Sequence, residues 1–407
     1  MQLIFIIIVC IAACIIAYLT ACVVYDTRLL RVLETIKGGA EIMSAVQNVR
    51  CIVRMSNLFA DASAIARAIA LYNPKINCYV IDETQTKDTP SVDAEHDPAH
   101  TIEIHFEHYK ATHLHAIKRF LIVNHEFFYD WDLNAMRDGV ICVAKTRVAQ
   151  QLLESIARKR YPIPYTRFTT IMPLIDSSQP KNPLVAVHFA GTSPLKNTKL
   201  VIEAWLHHSP APHMDGAELF ITRQRGKYNL AREDLDYWES LVSQPDAFRG
   251  IACRSIKHDN RTIYLTDTRI TNEQLADCIN CAQFHICPSE MEGYGHIINQ
   301  ARAAGAIIIT FDVAPMNELI DASCGVLIAS TGRKRWADKF RNLGKWATRE
   351  TTNIVLASSS PSDLLRAIDR AFALDAPTRA TMGTRALARF NDDTAFFNDA
   401  IVRVLGL

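Results

Sequence analysis

Short apolar runs alternate with amphipathic stretches along most of the chain, and this alternation predicts an open α/β architecture. In the first half, CIVRM (51–55), INCYVID (76–82), TIEIHF (101–106), FLIVNHEFF (120–128) and GVICVAK (139–145) read as strands. AIARAIALY (64–72), LHAIKR (114–119) and the segment from Arg147 read as helices, with the polar stretch 82–100 as a loop. Proline-rich residues 162–184 separate this series from a second one. There LVAVHFAG (184–191), ELFITR (218–223), TIYLT (262–266), FHIC (284–287), AIIITF (306–311) and GVLIA (325–329) read as strands, and LVIEAW (200–205) lies on a helix. Strand and helix in alternation call for parallel sheets covered on both faces. Two such series predict two Rossmann-like domains facing across a cleft, over 51–180 and 181–380. Residues 381–407 read as C-terminal helices packing back on the first domain. Sheets of this kind bind ligands beyond the carboxyl ends of their strands, so the chemistry is sought in the loops there.

The N-terminus breaks the pattern. From Leu3 to Tyr25 no residue is charged, and these 23 residues are almost wholly apolar. As a helix they would span roughly 34 Å, enough to cross a bilayer core. The run exceeds the apolar core of roughly 7–15 residues usual in a signal peptide, which favours an uncleaved transmembrane helix over residues 1–25. Arg28, Arg31 and Lys37 follow it and no Lys or Arg precedes it. The positive-inside tendency therefore places the rest of the chain in the cytosol, tethered by a single-pass anchor through a linker at 26–50.

Composition adds exclusions. The 407 residues carry 44 basic and 43 acidic side chains, a formal net charge of +1, so no basic field points to a nucleic-acid partner. A hydrophobic share of 49% with 21% charged residues requires a largely packed chain. Eleven cysteines fit a reducing compartment. Cys278 and Cys281 have helical spacing and no second ligand pair nearby, so they read as one helix face rather than a zinc site.

Two loops carry candidate chemistry. In HFAGTSPLKNTKLVIEAW (188–205) a strand ends at Gly191, Thr192 and Ser193 follow, and Lys196, Asn197 and Thr198 precede a helix. Free N–H groups at a helix start, hydroxyls and one lysine suit a diphosphate, although the Walker spacing is missing and a solvated turn would look the same. In CPSEMEGYGHIINQ (287–300), Glu292 stands before Gly293, Tyr294 and Gly295, and the helix from His296 points its positive end toward it. That carboxylate is either a helix N-terminal acid or an acceptor for sugar hydroxyls. In the first half, VNHEFFYD (123–130) ends a strand with His125 and Glu126, either of which is placed to position an acceptor hydroxyl or only to satisfy loop backbone. His105, Glu107 and His108 have ligand-like side chains, but alternation along a strand sends neighbours to opposite faces, so no metal is expected.

Taken together, the two loops resemble the C-terminal domain of two-domain (GT-B type) retaining glycosyltransferases of family 4. The resemblance rests on Pro288, Ser289, Glu292, Gly293, Tyr294 and Gly295, on Ala301, Ala304 and Gly305, and on Pro315 to Glu318 after the strand IIITF. It covers roughly 184–330. It implies a nucleotide-diphosphate sugar (UDP or GDP) as co-substrate, no other cofactor, no metal, and a glycan, lipid-linked or protein acceptor. By the same resemblance Lys196 binds the donor diphosphate with Thr192, Ser193, Asn197 and the amides from Gly293 to His296, while Glu292 holds the donor sugar. Two positions depart from the family. Thr192 replaces its arginine, leaving Lys196 and Arg223 or Arg225 to supply positive charge. Gln300 replaces the second acid, which binds ribose. An amide still accepts a hydrogen bond but without charge assistance, a loss of roughly 1–2 kcal/mol, or about ten- to thirtyfold in donor affinity. A non-catalytic subunit that binds nucleotide-sugars or glycans is the alternative expectation.

Overall fold

The computed structural model describes residues 46–54, 58–82, 97–110, 116–158, 160–171, 174–207, 211–224, 237, 239–241, 243–332 and 334–407. The apolar run at 3–25, its basic flank at 28–37 and Arg225 lie outside the described residues. Among the described residues no helix is long and apolar enough to cross a membrane.

The first half is a parallel sheet of β1 (Asn48–Val53), β2 (Asn77–Asp82), β3 (Thr101–Phe106), β4 (Lys118–Val123) and β5 (Ile141–Ala144), in the order β2-β1-β3-β4-β5. Between strands run α1 (Phe59–Tyr72), α2 (Asp130–Arg137) and, after β5, α3 (Arg147–Ile156). β3 is buried along its whole length, as a strand covered on both faces must be. The helix expected over 114–119 does not form at its described end. Lys118 and Arg119 pair in register with Ile102 and Glu103 of β3, and Arg119 also donates to the Tyr109 hydroxyl at 3.0 Å. Ladder pairing outweighs the helical spacing of the apolar residues there.

The second half holds β6 (Asn182–Gly191), α4 (Thr198–Leu206), β7 (Glu218–Arg223), β8 (Gln244–Phe248), β9 (Ile251–His258), β10 (Arg261–Thr266), α5 (Asn272–Cys281), β11 (Ala282–Cys287), α6 (His296–Ala303), β12 (Ile307–Phe311), α7 (Met316–Leu319) and β13 (Gly325–Ile328). Its strands order as β13-β12-β11-β6-β7-β10-β9-β8, parallel up to β10 and antiparallel beyond. The β8–β9 hairpin turns on Arg249 and Gly250, both at positive φ (48° and 78°), as a two-residue turn of matching twist requires. β8 is the edge strand and largely exposed, and β9 beside it is only partly buried, so they carry little of the apolar signal by which the inner strands are recognised. Cys278 and Cys281 share α5, where the Cys281 thiol lies 3.4 Å from the Cys278 carbonyl.

After β13 comes a small excursion of β14 (Lys334–Arg335), α8 (Trp336–Lys339), α9 (Arg349–Thr352) and β15 (Val355–Leu356). It crosses to the first half. Asp130 donates its N–H to the Trp346 carbonyl at 2.9 Å, and the Thr351 hydroxyl donates to the Phe128 carbonyl at 3.0 Å. The chain ends in α10 (Pro361–Phe372) and one long helix, α11 (Ala376–Leu405), which packs against both α1 and α6. Arg302 of α6 and Arg167 of the linker share the Asp393 carboxylate of α11 at 2.6 and 2.5 Å. Gly383 lets α11 approach α6. A Cβ there would sit 2.2 Å from the Gly305 carbonyl oxygen, a backbone atom with nowhere to go. Gly383→Ala is therefore expected to destabilise by roughly 2 kcal/mol, overpacking outweighing alanine's helix preference. Thermal denaturation checks this, and an unchanged or raised midpoint would refute it.

Candidate active site

Loops leaving the carboxyl ends of the two parallel sheets meet, Gly293 after β11 lying against Asn124 and Glu126 after β4. From β6 the chain passes Gly191 at φ 53°, then Thr192 and Ser193, and turns through Asn197, left-handed at φ 56°, into α4. Serine and asparagine suit such a turn because short polar side chains satisfy its backbone. The Ser193 hydroxyl accepts from the Leu195 N–H at 3.3 Å. Asn197 instead reaches the neighbouring loop, its amide donating to the Pro288 carbonyl at 2.8 Å. The Glu290 N–H closes the same seam on the Leu195 carbonyl at 2.8 Å. The two sequence motifs are thus one structural unit.

At its centre Lys196 and Glu292 form an ion pair, Nζ to Oε1. The Ser289 hydroxyl donates to the same carboxylate oxygen at 2.5 Å. Both charged side chains are mostly buried, 14% and 10% exposed, so the pair is stronger than a surface salt bridge and both members are held in place. Gly295 at φ 98° then starts α6, whose first N–H groups face the loop. Gln300 lies on this helix, half-buried.

Other expected site residues are placed differently. Arg223 is fully buried and donates to the Gly191 carbonyl at 2.8 Å, which braces the turn from behind. The Tyr294 side chain turns into the linker, where its hydroxyl bonds the Phe168 carbonyl, so only its amide remains for a ligand. His296 is committed across the domain seam, with Nε2 at 2.6 Å from Asp61 Oδ1 of α1 and Nδ1 at 3.3 Å from the Thr170 hydroxyl.

The opposing wall comes from the ends of β3, β4 and β5. His125 and Glu126 follow β4, both buried, with Nδ1 of His125 3.6 Å from Glu126 Oε2. Burial pushes the His125 imidazole down to about 4, with Lys145 adding to the effect. Burial pushes the Glu126 carboxyl up to about 8, against the opposing pull of Lys145. Glu107, at φ 65° just after β3, is raised by burial as well. Near neutral pH, then, burial favours the protonated carboxyl of Glu126 and the neutral imidazole of His125. The wall also contains residues that no motif marked. Lys145, 3% exposed at the end of β5, donates to Asp61 at 3.1 Å and to Asn124 Oδ1 at 2.5 Å. Burial opposes ionisation of Asp61, but Lys145 and His296 outweigh it and hold the carboxyl well below its usual range. Lys145 closes the apolar strand GVICVAK, and a lysine at a strand's carboxyl end was the available signal. Asp61 had none, since it sits in the first turn of an ordinary amphipathic helix.

The two walls touch. A Cβ on Gly293 would lie 2.6 Å from Asn124 Oδ1 and 2.7 Å from Glu126 Oε1, so only glycine permits the approach. Glu318 of α7 reaches the other way, accepting the Arg147 and Val148 N–H groups at 2.7 and 2.8 Å at the start of α3. A carboxylate there satisfies two open donors and the helix dipole together. Among the described residues no His, Cys, Asp and Glu group is arranged to hold a metal ion.

Glu126 has a pH consequence. Its carboxyl keeps a proton until the folded-state pKa near 8, so its contribution to stability is full below the ordinary carboxylate value near 4.5 and is lost as pH rises through 8. Above pH 8 a second negative charge stands beside Glu292, and an anionic ligand at Lys196 should bind less well. The ligand's Michaelis constant is expected to climb above pH 8 in the native protein and to stay flat to pH 9 in Glu126→Gln. Parallel profiles in the two proteins would remove Glu126 as the cause.

No family model matches the sequence, and no curated protein is similar to it. Solved structures do match. WaaG, a glycosyltransferase involved in lipopolysaccharide biosynthesis, superposes with a TM-score of 0.50 at 13% identity, over 88% of this chain and 100% of that one. A trehalose-6-phosphate structure from E. coli, bound with UDP-2-fluoro glucose, gives 0.54 at 9% identity, over 88% and 99%. The pneumococcal O-GlcNAc transferase GtfA, in complex with UDP and GlcNAc, gives 0.44 at 14% identity over 75% of this chain, which spans about half (51%) of GtfA's length. At such identities the likeness concerns architecture, and the fold of this chain is that of the GT-B glycosyltransferases.

Proposed function

We propose that the chain is a membrane-anchored glycosyltransferase that moves a sugar from a UDP- or GDP-sugar to a glycan, lipid-linked or protein acceptor, with retention of configuration. The observation that carries this reading is the Lys196–Glu292 pair, set where the strand ends of both domains converge. A donor diphosphate competes with Glu292 for Lys196, and the exchange does two things at once. It neutralises the leaving group and frees the carboxylate to accept hydrogen bonds from the donor sugar. The amides from Gly293 to His296 add fixed positive dipole at no reorganisation cost. Attack on the face the leaving group vacates lets the departing phosphate take the acceptor's proton, so neither a metal nor a strong protein base is required. Protonated Glu126 and neutral His125 fit that demand, since a hydrogen bond to the acceptor hydroxyl orients it without competing for its proton. The apolar run at 3–25 supplies the anchor, and the basic residues Arg28, Arg31 and Lys37 after it favour a cytosolic side for the catalytic domains. The UDP-2-fluoro glucose bound by the E. coli neighbour supports a nucleotide-sugar donor.

Gln300, where the resembled family has an acid, favours a second reading as a non-catalytic nucleotide-sugar-binding subunit. The full chain incubated with a panel of UDP- and GDP-sugars separates the two. Release of UDP or GDP from one donor is expected. Saturable binding of a donor without any release would leave only the subunit reading. Asn260-Arg261-Thr262 is an N-glycosylation sequon, and glycan on Asn260 would overturn the cytosolic placement.

A further inference from the structure

We infer that Trp131 and Trp346 form a stacking platform for the pyranose rings of an oligosaccharide acceptor, which deepens and rests on the glycosyltransferase reading. The two indoles come from different halves of the molecule. Trp131 lies in the first turn of α2, five residues after Glu126, and Trp346 sits in the excursion that crosses from the second half. The hydrogen bond from the Asp130 N–H to the Trp346 carbonyl and the bridge between Tyr129 and Ala347 fix their backbones together. Their ring centroids lie 6.2 Å apart.

Both rings are left open to solvent, 41% and 40% exposed. Most other tryptophan, phenylalanine and tyrosine side chains of the described residues are packed away, Trp205 and Trp336 completely. The exposure is not slack. Behind Trp131, the Tyr129 ring lies at 4.7 Å and the His108 ring at 5.7 Å, themselves stacked at 4.8 Å and 14°. The buried Asp132 carboxylate holds this support, accepting from the Tyr109 N–H at 2.9 Å and the Tyr129 N–H at 3.2 Å, with His108 Nδ1 at 2.9 Å. On the other ring the Lys345 ammonium lies 4.3 Å from the Trp346 centroid.

Rigid aromatic faces with charged neighbours fit a sugar better than a lipid or a protein. The C–H faces of a pyranose ring are apolar and flat enough to stack on an indole, while its equatorial hydroxyls point outward at polar groups. Asp130, Asn134 and Lys345 flank the two rings and are all exposed. A lipid or protein partner would instead need a wider continuous apolar surface. The platform also joins the active site directly, because Tyr129 packs in one cluster with Leu195 and Met291 of the two donor loops.

The test uses the full chain with chitotetraose, cellotetraose and maltotetraose as probes, read by tryptophan fluorescence, with UDP and GDP binding measured separately by calorimetry. Saturable quenching by at least one oligosaccharide is expected in the native protein. Trp131→Ala and Trp346→Ala should each weaken that binding about tenfold or more, while Trp131→Phe retains most of it and UDP affinity stays unchanged in all variants. A native protein that binds UDP but shows no saturable quenching, or alanine variants that bind as the native protein does, would overturn the platform. Oligosaccharide binding with neither UDP nor GDP bound would preserve the platform and reject the donor reading.

Discussion

On the proposed mechanism, Lys196→Ala is expected to lower kcat for sugar transfer roughly 1,000-fold, about 4 kcal/mol of transition-state stabilisation, because it removes the side-chain cation that the mechanism sets against the leaving group. The same change strands Glu292, which is 10% exposed and keeps, among the described residues, only the Ser289 hydroxyl as a side-chain partner. Breaking such a pair from one side costs stability in its own right, so loss of activity alone would not assign the role. Glu292→Gln in the Lys196→Ala background resolves this. The double variant should regain the thermal midpoint that the single one loses and regain none of the activity. If activity returned with stability, Lys196 would be a structural partner and the proposed chemistry would fail.

Gly293→Ala should be nearly as damaging, with kcat/KM down about 100-fold, although it removes no functional group. The added methyl would meet Asn124 and Glu126 of the opposite wall at 2.6–2.8 Å. Neither can step aside cheaply, since Asn124 receives the Lys145 ammonium at 2.5 Å and Glu126 is 5% exposed. The walls must part by a fraction of an ångström to an ångström, a displacement that costs about two decades when two bound reactants have to align. Steady-state kinetics with both substrates gives the measurement, and near-native kcat/KM would show that the seam is not closed during turnover.

The loops were legible because their information is local. A glycine turn, a lysine and a helix start within residues 188–205, or an acid before two glycines and a helix within 287–300, are patterns that a short segment states completely. The inner strands were legible for a similar reason, since burial on both faces demands continuous apolar runs such as AIIITF. Edge strands have no such demand, and β8–β9 passed unseen.

The seam obeys a different logic. Asp61 meets His296 across 235 positions of sequence and Lys145 across 84, and nothing in the neighbourhood of any of them marks the meeting. The opposite protonation states of His125 and Glu126 arise from burial, which no short segment encodes. Trp131 and Trp346 become a pair only because the excursion at 334–356 folds back over the first half. By itself, then, the sequence determined the parallel α/β halves and the two loops of the candidate donor site, since period and turn chemistry act over a few residues. Which residues face each other across the cleft, how they are charged and which aromatic rings stay exposed were decided by tertiary packing, because solvent exclusion and long-range contact exist only once the chain has closed.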